Sequence, residues 1–321
     1  MKLVGVTPPH RTTSRRAFLG AAALLPLAGC APDPASAPAP SSTPSSTPVG
    51  TSSATPTPAT VPHDHLIELE RKFDARLGVY AVATGTGTTL AYRADERFAF
   101  CSTFKGLAAA AVLHRHPLSH LDTVVTYTER DLMASSAITR QHVATGMTVR
   151  QVCDAAVRHS DGTAGNLLLR DLGGPAGLTA YVRGLGDTVT RSDRVEPDLT
   201  TAVPGDPRDT TSPRAIGVDY REIVLGDALE PDKRAFLRDL LERNATKAGT
   251  QRVRAGVPQG WTVADKTGTG DYGTVNDIAV VWPPNAAPLL ISIMSSKAAA
   301  DDGYDQALLA EAAAYAVEAL T

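Results

Sequence analysis

The chain has no block of basic residues, and its formal net charge is only −3 over 321 residues. A protein that binds nucleic acid presents a strongly positive surface, so this charge balance argues against a nucleic-acid partner. Aromatic residues are also scarce, at 5%, whereas 43% of the residues are hydrophobic and 20% are charged. This composition is typical of a globular protein of one or two domains.

A hydrophobic run long enough to span a bilayer is missing near the N-terminus. The apolar stretch 17–29 is too short, and it follows the pair Arg15 and Arg16. We predict that residues 1–29 are an export signal. The segment "SRRAFL" resembles a twin-arginine signal, and "LAGC" resembles a bacterial lipobox, which would make Cys30 the lipidated first residue of the mature protein. The alternative is cleavage and secretion. We expect an exported protein, either anchored to the outer face of the membrane only through Cys30 or secreted.

Residues 30–62 lack almost every residue type that builds a hydrophobic core. After Cys30 they are nearly all Ala, Pro, Ser and Thr, with nine prolines. Such a segment behaves as an extended tether, so we predict a linker over 30–62. The folded domain is predicted to span 63–321.

Cysteine is rare, with three residues in the chain. Cys101 and Cys153 could pair outside the cell. Each lies in an apolar context, however, where cysteine packs as a small hydrophobic residue without a bridge. We predict two free thiols.

Hydrophobic periodicity predicts helices at both ends of the domain and through its middle. The segments "HDHLIELERKFDARLG" and "YDQALLAEAAAYAVEAL" have helical spacing. Strands are predicted in "VYAVATGTGTTLAYRADERFAF", "GWTVADKTGTGDYGTVNDIAVVWPP" and "APLLISIMSSKA". The predicted fold class is α/β of the α+β type: an antiparallel sheet flanked by N- and C-terminal helices, with an inserted all-helical domain.

Lysine is scarce too, with seven residues against 24 arginines. Ser102 and Lys105 share one face if they lie on a helix. A helix cap followed by a surface lysine is the alternative interpretation. Downstream come "HSDGTAGN" with Ser160, "RVEPDLT" with Glu196, and "DKTGTG" with Lys266. Composition predicts "SDG" roughly 0.1 times and "KTG" roughly 0.06 times by chance. Their occurrence together and in this order favours a catalytic site.

This motif set resembles that of the class A serine β-lactamases, over residues from about 65 to 320. The segment "DRVEPDLTTAVPGDPRDTTSP" resembles the Ω-loop of that family, with Arg194 and Asp209 as a bracing ion pair. The resemblance implies a fold like that of serine β-lactamases and penicillin-binding proteins. In it, 63–101 and 250–321 form the α/β part and 102–249 the mainly helical part. It also implies hydrolysis of β-lactam antibiotics through a serine acyl-enzyme, β-lactam resistance, and no cofactor.

The resemblance implies four catalytic residues. Ser102 would be the nucleophile, activated by a base because a free serine is a poor nucleophile. Either Lys105 or Glu196, acting through a water, would be the base for acylation. Ser160 would pass a proton to the lactam nitrogen, and Glu196 would activate the water that hydrolyses the acyl-enzyme.

Substrate binding is likewise implied by the resemblance. The backbone N–H groups of Ser102 and Thr269 would form the oxyanion hole. An arginine before the last motif would assist, with Arg252 as the match and Arg254 as the alternative. The residues expected to contact the substrate are Lys266, Thr267, Gly268, Thr269, Arg252 and Gly162.

Four positions depart from the commonest family pattern. Gly162 stands where most members have Asn, so an amide contact to the substrate is missing. Ser135 replaces an aromatic wall, which predicts a wider mouth. Thr200 replaces the Asn that helps to hold the deacylating water. Gly270 leaves Cys101 without the disulfide partner found in some members.

Two further signals are set aside. His114, His116 and His120 lie at a helix end and in a loop, without a carboxylate or thiol at ligand spacing in the sequence. We interpret them as a solvated helix terminus and predict no metal site. The two "TGTG" segments, at 84–87 and 267–270, are not followed by a helix, so they do not predict a dinucleotide site. We expect a monomer that acts on small β-lactam molecules.

Two other functions remain open from the sequence. Gly162 and Thr200 leave room for a non-catalytic lipoprotein that binds or senses β-lactams. A cell-wall DD-peptidase is the other alternative, and Glu196 argues against it because a carboxylate base would hydrolyse the acyl-enzyme.

Overall fold

A five-stranded antiparallel sheet lies at the centre of the computed structural model, which describes residues 63–321. The strands of this part of the chain are β1 (Arg76–Ala83), β2 (Thr89–Tyr92), β3 (Phe98–Ala99), β4 (Val124–Val125), β5 (Met147–Thr148), β6 (Thr210–Thr211), β7 (Thr262–Thr269), β8 (Val275–Trp282) and β9 (Leu289–Ser296). The large sheet has the order β2-β1-β9-β8-β7, and its neighbouring strands are antiparallel. β3 pairs with β6, and β4 pairs with β5.

The helices surround this sheet and fill the middle of the sequence. They are α1 (Asp64–Phe73), α2 (Phe104–Arg115), α3 (Val149–Arg158), α4 (Gly162–Asp171), α5 (Pro175–Gly184), α6 (Pro213–Val224), α7 (Pro231–Glu242), α8 (Lys247–Gln251), α9 (Val253–Gly256) and α10 (Ala307–Leu320). Short 3₁₀ turns, including Cys101–Thr103 and Asp198–Thr200, join some of them.

Both faces of the large sheet are buried, and each belongs to a different hydrophobic core. Side chains alternate in direction along a strand, so Leu77 and Val79 of β1 pack towards α1 and α10. Tyr80 and Val82 of the same strand point into the second core, which includes α2 and α6. The sheet therefore connects the terminal helices to the helical part of the chain.

Three features of this fold bring the sequence motifs together. The 3₁₀ turn Cys101–Thr103 leads directly into α2, whose buried run Ala108–Ala111 has side chains small enough for close helix packing. Asp161 caps the N-terminus of α4, where its carboxylate accepts a hydrogen bond from the Ala164 N–H. β7 forms an edge of the large sheet.

The predicted fold class is confirmed, with terminal helices against an antiparallel sheet and a mainly helical segment between the strands. The two-residue ladders β3–β6 and β4–β5 were not predicted, because so short a strand has no periodicity to detect. Within residues 63–321, no helix is long and apolar enough to cross a membrane. The predicted export signal, the linker and Cys30 lie outside the described residues.

Candidate active site

Ser102 and Lys105 meet at the start of α2, as their spacing predicts. The Lys105 Nζ lies 3.0 Å from the Ser102 Oγ and donates a hydrogen bond to it. The same Nζ donates to the backbone carbonyl of Ser160 at 2.8 Å. The Lys105 side chain is fully buried, which is rare for lysine unless it is paired. It is therefore part of the site and not a surface residue.

Glu196 completes this cluster from the loop that precedes α6. Its Oε1 accepts a hydrogen bond from the Ser102 Oγ at 3.2 Å and lies 2.7 Å from the Lys105 Nζ. The side chain of Glu196 is 6% exposed. A serine hydroxyl, an ammonium and a carboxylate thus form one connected group, in which the serine proton points at the carboxylate.

Asn166 fixes the backbone of Glu196, and sequence reasoning missed it. The Asn166 Oδ1 accepts a hydrogen bond from the Glu196 N–H, and its Nδ2 donates to the Glu196 carbonyl, both at 2.9 Å. Asn166 lies on α4, six residues after Ser160. A polar amide on an otherwise apolar helical stretch, "NLLL", was the available signal.

Ser160 and Lys266 form the second half of the site. The Lys266 Nζ donates to the Ser160 Oγ at 3.0 Å and to the backbone carbonyl of the next residue, Thr267, at 2.9 Å. Burial, together with repulsion from the Lys105 cation, lowers the pKa of Lys266 to about 7. Ser160 has φ +56°, a left-handed conformation that non-glycine residues rarely adopt. Such a conformation is typical of a functional position.

The edge strand β7 passes very close to the turn that holds Ser102. A Cβ atom at Gly268 would lie 2.7 Å from the Phe100 carbonyl and 3.1 Å from the Thr103 Cγ2. Only glycine allows this approach. It brings Thr269, the predicted second donor of the oxyanion hole, next to the segment that carries Ser102.

The two candidate arginines have different partners. The Arg252 Nη2 donates to the Thr269 Oγ1 at 2.7 Å, and its Nη1 donates to the Gly268 carbonyl at 2.6 Å. Arg252 is fully buried, and its Nε also donates to Gln306. Arg254 instead forms an ion pair with Asp265. Both arginines reach β7, which includes Asp265, but of the two it is Arg252 that contacts Gly268 and Thr269 at the end of the strand near Ser102.

Gly162 lies at the first position of α4, against Glu196. A Cβ atom there would collide with the Ser135 Oγ and the Glu196 Oε2. An Asn at this position would therefore require both side chains to move. The absence of a side chain at 162 lets the carboxylate and the Ser135 hydroxyl approach each other.

The loop around Glu196 is closed by the predicted ion pair. The Arg194 Nε donates to the Asp209 Oδ2 at 2.6 Å, and the other oxygen of Asp209 accepts the Asp193 and Arg194 N–H groups. Thr200 lies in the same loop, where its hydroxyl donates to the Pro197 carbonyl at 2.8 Å. The structure holds Thr200 near Glu196, and its role towards water stays a prediction.

Cys101 and Cys153 are both free and buried, as predicted. Burial raises the pKa of each thiol to about 12, so neither is a reactive thiolate at neutral pH. A Cβ at Gly270 would lie only 2.6 Å from the Cys101 Sγ, which shows how close the missing partner position is.

The expectation that the histidines after α2 have no carboxylate beside them is wrong. Asp171 of α4 lies 2.8 Å from both His116 and His120. The two segments are more than 50 residues apart in sequence, so motif spacing could not show their contact. His114 does not join this group and its Nδ1 lies 3.3 Å from the Ala228 carbonyl.

A buried lysine and a carboxylate both contact the Ser102 hydroxyl, and a second serine–lysine pair lies beside them. This arrangement defines a serine hydrolase that works by acyl transfer. Comparison with known proteins agrees with this class. Residues 63–320 match the model of the Beta-lactamase enzyme family. A beta-lactamase of Mycobacterium tuberculosis (strain ATCC 25618 / H37Rv) is 57% identical over 273 residues, 81% of this chain and 88% of the relative. A beta-lactamase of Amycolatopsis lactamdurans is 56% identical over 83% of this chain and 89% of the relative.

Solved structures give the same result. The beta-lactamase from Streptomyces albus G has a TM-score of 0.78 and 48% identity, covering 80% of this chain and 98% of its own. The class A beta-lactamase from Clostridium kluyveri DSM 555 has a TM-score of 0.78 and 43% identity, covering 80% and 97%. The chain belongs to the beta-lactamase enzyme family, as a class A serine β-lactamase. It hydrolyses β-lactams, an activity that gives β-lactam resistance.

Proposed function

We propose that β-lactam hydrolysis in this chain runs through an acyl-enzyme on Ser102 that Glu196 then clears. The observation that carries the proposal is the position of the Glu196 carboxylate, within hydrogen-bond distance of the Ser102 hydroxyl and paired with Lys105. The same carboxylate can therefore serve both halves of the reaction, and rapid hydrolysis of the acyl-enzyme separates a β-lactamase from a penicillin target.

Acylation uses Glu196 as the first acceptor of the Ser102 proton. The Lys105 Nζ faces three acceptors: the Ser102 Oγ, the Ser160 carbonyl and Glu196. An ammonium has three N–H donors and no lone pair, so it satisfies all three. A charged Lys105 cannot take the serine proton, whereas the Glu196 carboxylate can. Lys105 then stabilises the negative charge that develops on the Ser102 oxygen.

Ring opening requires a proton on the lactam nitrogen, and Ser160 is the donor. Its Oγ accepts a hydrogen bond from Lys266, which leaves its own proton free to be donated. Lys266 can then return a proton to the Ser160 oxygen. The backbone N–H groups of Ser102 and Thr269 stabilise the oxyanion of the tetrahedral intermediate, a contribution of about 3–4 kcal/mol per donor in other enzymes.

The β-lactam carboxylate binds along β7, to Lys266, Thr267 and Thr269. Arg252 acts from behind this strand, because its guanidinium donates to the Thr269 Oγ1. A hydroxyl that accepts from Arg252 can direct its single proton towards the substrate carboxylate. Arg252 thus orients Thr269 and adds positive potential at the site.

Deacylation needs a water held against Glu196. Asn166 fixes the backbone of Glu196, so the carboxylate stays in place while the ester forms and breaks. The Thr200 hydroxyl donates to Pro197, so it can only accept a hydrogen bond from that water. Gly162 and Ser135 lie beside the Glu196 carboxylate, where a glycine and a serine offer the substrate neither an amide nor an aromatic contact.

The enzyme is exported. The linker 30–62 either tethers it to the membrane through a lipid on Cys30 or, after simple cleavage of the export signal, is secreted together with the folded domain. The lipobox-like "LAGC" supports the anchored form.

We place the α/β part at 63–101 and 250–321 and the mainly helical part at 102–249. A monomer is supported by the small number of large apolar side chains exposed in residues 63–321, which are Leu118, Val124, Val195, Val203 and Tyr304.

Turnover of a chromogenic cephalosporin by the purified chain tests the proposal. The wild-type protein should hydrolyse many equivalents, and Ser102→Ala should reduce turnover at least 10³-fold while its circular dichroism spectrum is unchanged. A single stoichiometric burst would instead indicate a DD-peptidase-like enzyme, and no reaction would indicate a sensor. Wild-type hydrolysis by Ser102→Ala would contradict the assignment of the nucleophile.

A further inference from the structure

Three side chains with metal-binding atoms meet away from the active site. His116 caps the C-terminus of α2, His120 lies in the 3₁₀ turn Leu118–Asp122, and Asp171 is the last residue of α4. The Nε2 atom of His116 lies 2.8 Å from the Asp171 Oδ1, and the Nε2 atom of His120 lies 2.8 Å from the Oδ2. Both imidazoles thus direct the same nitrogen at one carboxylate.

The spacing of these atoms fits a small divalent cation. The two imidazole rings stack with centroids 3.8 Å apart and planes 19° apart. One ligand atom from each residue lies within 4.8 Å of the other two. Tetrahedral Zn²⁺ with ligands at about 2.0–2.2 Å needs its ligand atoms roughly 3.4 Å apart, so binding requires shifts of about 1 Å and a rotation of the stacked rings that turns both Nε2 lone pairs to one point. Each imidazole then keeps its proton on Nδ1 and turns the Nε2 lone pair to the metal.

The electrostatics of this position also favour a cation. α2 and α4 both end here, and the C-terminal end of a helix carries partial negative charge. Asp171 adds a full negative charge at the end of α4, where a carboxylate is unfavourable unless a cation is close. Arg115 supplies some positive charge near this helix end, since its Nη1 donates to the Asp171 backbone carbonyl at 3.3 Å. The Asp171 carboxylate itself has the two imidazoles as partners.

Access and coordination number are suitable as well. The side chains of His116, His120 and Asp171 are 27%, 22% and 18% exposed, so an ion can enter from solvent. Three protein ligands leave at least one coordination position for water. Two imidazoles and one carboxylate are the donor set preferred by Zn²⁺ and similar borderline transition metals rather than by Mg²⁺ or Ca²⁺.

We propose that His116, His120 and Asp171 form a binding site for a divalent transition metal of the Zn²⁺ type. The site is distinct from the catalytic centre: Ser102 precedes the N-terminus of α2, and the 12 residues of that helix rise about 18 Å before His116. A bound ion would link the C-terminal ends of the two helices whose N-terminal ends lie next to Ser102 and Ser160.

Zn²⁺ affinity of the untagged full chain tests this site, measured by competition with a chromogenic chelator. The wild-type chain should bind one more equivalent of Zn²⁺ than the double variant His116→Asn/His120→Asn. Each single variant, and Asp171→Asn, should weaken that binding at least tenfold. His114→Asn is the matched control on the same helix and should bind as the wild type does. Hydrolysis of a chromogenic cephalosporin at the wild-type rate shows that each variant is folded.

Cobalt substitution gives a second, independent readout. Co²⁺ in this site should show visible d–d bands of nitrogen and oxygen ligation, which the double variant loses. Equal Zn²⁺ binding by the wild type and the double variant would overturn the proposal and leave a hydrogen-bonded His–Asp–His group. A Co²⁺ spectrum dominated by thiolate charge transfer would also overturn it, since the metal would then be bound by a cysteine elsewhere.

Discussion

Ser102 lies between two groups of opposite charge, and this arrangement assigns them different work. The Lys105 Nζ donates to the Ser102 oxygen, while the Ser102 hydroxyl donates to Glu196. In the proposed mechanism the carboxylate accepts the proton, and Lys105 stabilises the oxygen that loses it. Sequence reasoning could place both residues near Ser102 but could not choose between them as base, because that choice depends on their contacts with Ser102 in the folded chain.

Glu196→Ala tests how far the two halves of the reaction depend on this carboxylate. Without it, Lys105, whose Nζ lies 3.0 Å from the Ser102 Oγ, is the remaining group that can take the Ser102 proton. Acylation should therefore continue at a reduced rate, whereas deacylation should fall at least 10³-fold. Intact mass spectrometry should show a covalent β-lactam adduct that persists. If no adduct forms, Glu196 is indispensable to acylation as well.

Thr200→Val tests the predicted contact with the deacylating water. One buried water typically makes about three hydrogen bonds, and the Thr200 hydroxyl can accept one of them. Valine keeps the shape of the side chain but removes the hydroxyl. We expect deacylation to slow at least tenfold, a barrier change of about 1.4 kcal/mol, with a smaller effect on acylation. Pre-steady-state kinetics separates the two steps.

The neighbouring Thr201→Val is the matched control. Its hydroxyl also bonds within the loop, to the Asp198 carbonyl at 2.9 Å, and accepts from Arg194. A general loosening of the loop should affect both variants, whereas a lost water contact should affect Thr200→Val alone. An unchanged deacylation rate in Thr200→Val would show that its match to the family's Asn is positional only.

At the scale of elements, α6 contains a buried acid that has no role in the reaction described above. Asp219 is 1% exposed, and its oxygens accept no hydrogen bond, but in the protonated form it can donate one to the neighbouring Asp187 carboxylate. Burial, with repulsion from Asp187, raises the pKa of Asp219 to about 9. The folded chain therefore keeps this carboxyl protonated up to about pH 9, while the unfolded chain ionises it near pH 4.

The free energy of unfolding should fall with pH for this reason. Because the folded state binds the extra proton, the contribution of Asp219 to stability is fully present below about pH 4 and is lost as pH rises towards 9. Asp219→Asn resembles the neutral acid and removes this dependence. Urea unfolding at pH 5, 6.5 and 8 should show the variant gaining on the wild type as pH rises, by less than about 1.4 kcal/mol per pH unit.

Glu222→Gln on the same helix is the control for that series. Glu222 is a partly exposed carboxylate paired with Arg221, and it raises the pKa of Asp219 less than burial and Asp187 do. Its removal should therefore change the slope far less than Asp219→Asn does. Parallel wild-type and Asp219→Asn curves would show that Asp219 is ionised in the folded chain.

The sequence predicted which elements carry the site but not how they are held. The motifs at 102–105, 160–162 and 266–268 were identified because each is contiguous and chemically unusual. Asn166 was missed, because its partner Glu196 lies 30 residues away and the contact exists only in the folded chain. The sequence motif indicates no role for Asp161, yet this residue caps α4 and accepts hydrogen bonds from the Ile138 and Thr139 N–H groups at 3.0 Å.

At the scale of the whole molecule, the order of predicted strands and helices was sufficient for the fold class. Strands at the two ends of the domain with a helical segment between them require the terminal strands to meet in one sheet, and β1 pairs with β9 over its full length. The two cores could not be assigned from the sequence. Strands buried on both faces lose the alternation of polar and apolar residues that shows which side faces the interior.

The last prediction concerns the thiols of these cores. Cys101 and Cys153 are fully buried, and burial raises the pKa of each to about 12, so neither should react with a thiol reagent at pH 8 while the chain is folded. In denaturant and without reductant, residues 63–321 should titrate two thiols, because Cys101 and Cys153 are the two cysteines of that segment. Cys101→Ala and Cys153→Ala should each lower the count by one. A count of zero in the denatured wild-type chain would show a disulfide between them, and fast reaction of the folded chain would show that one of the cores opens to solvent.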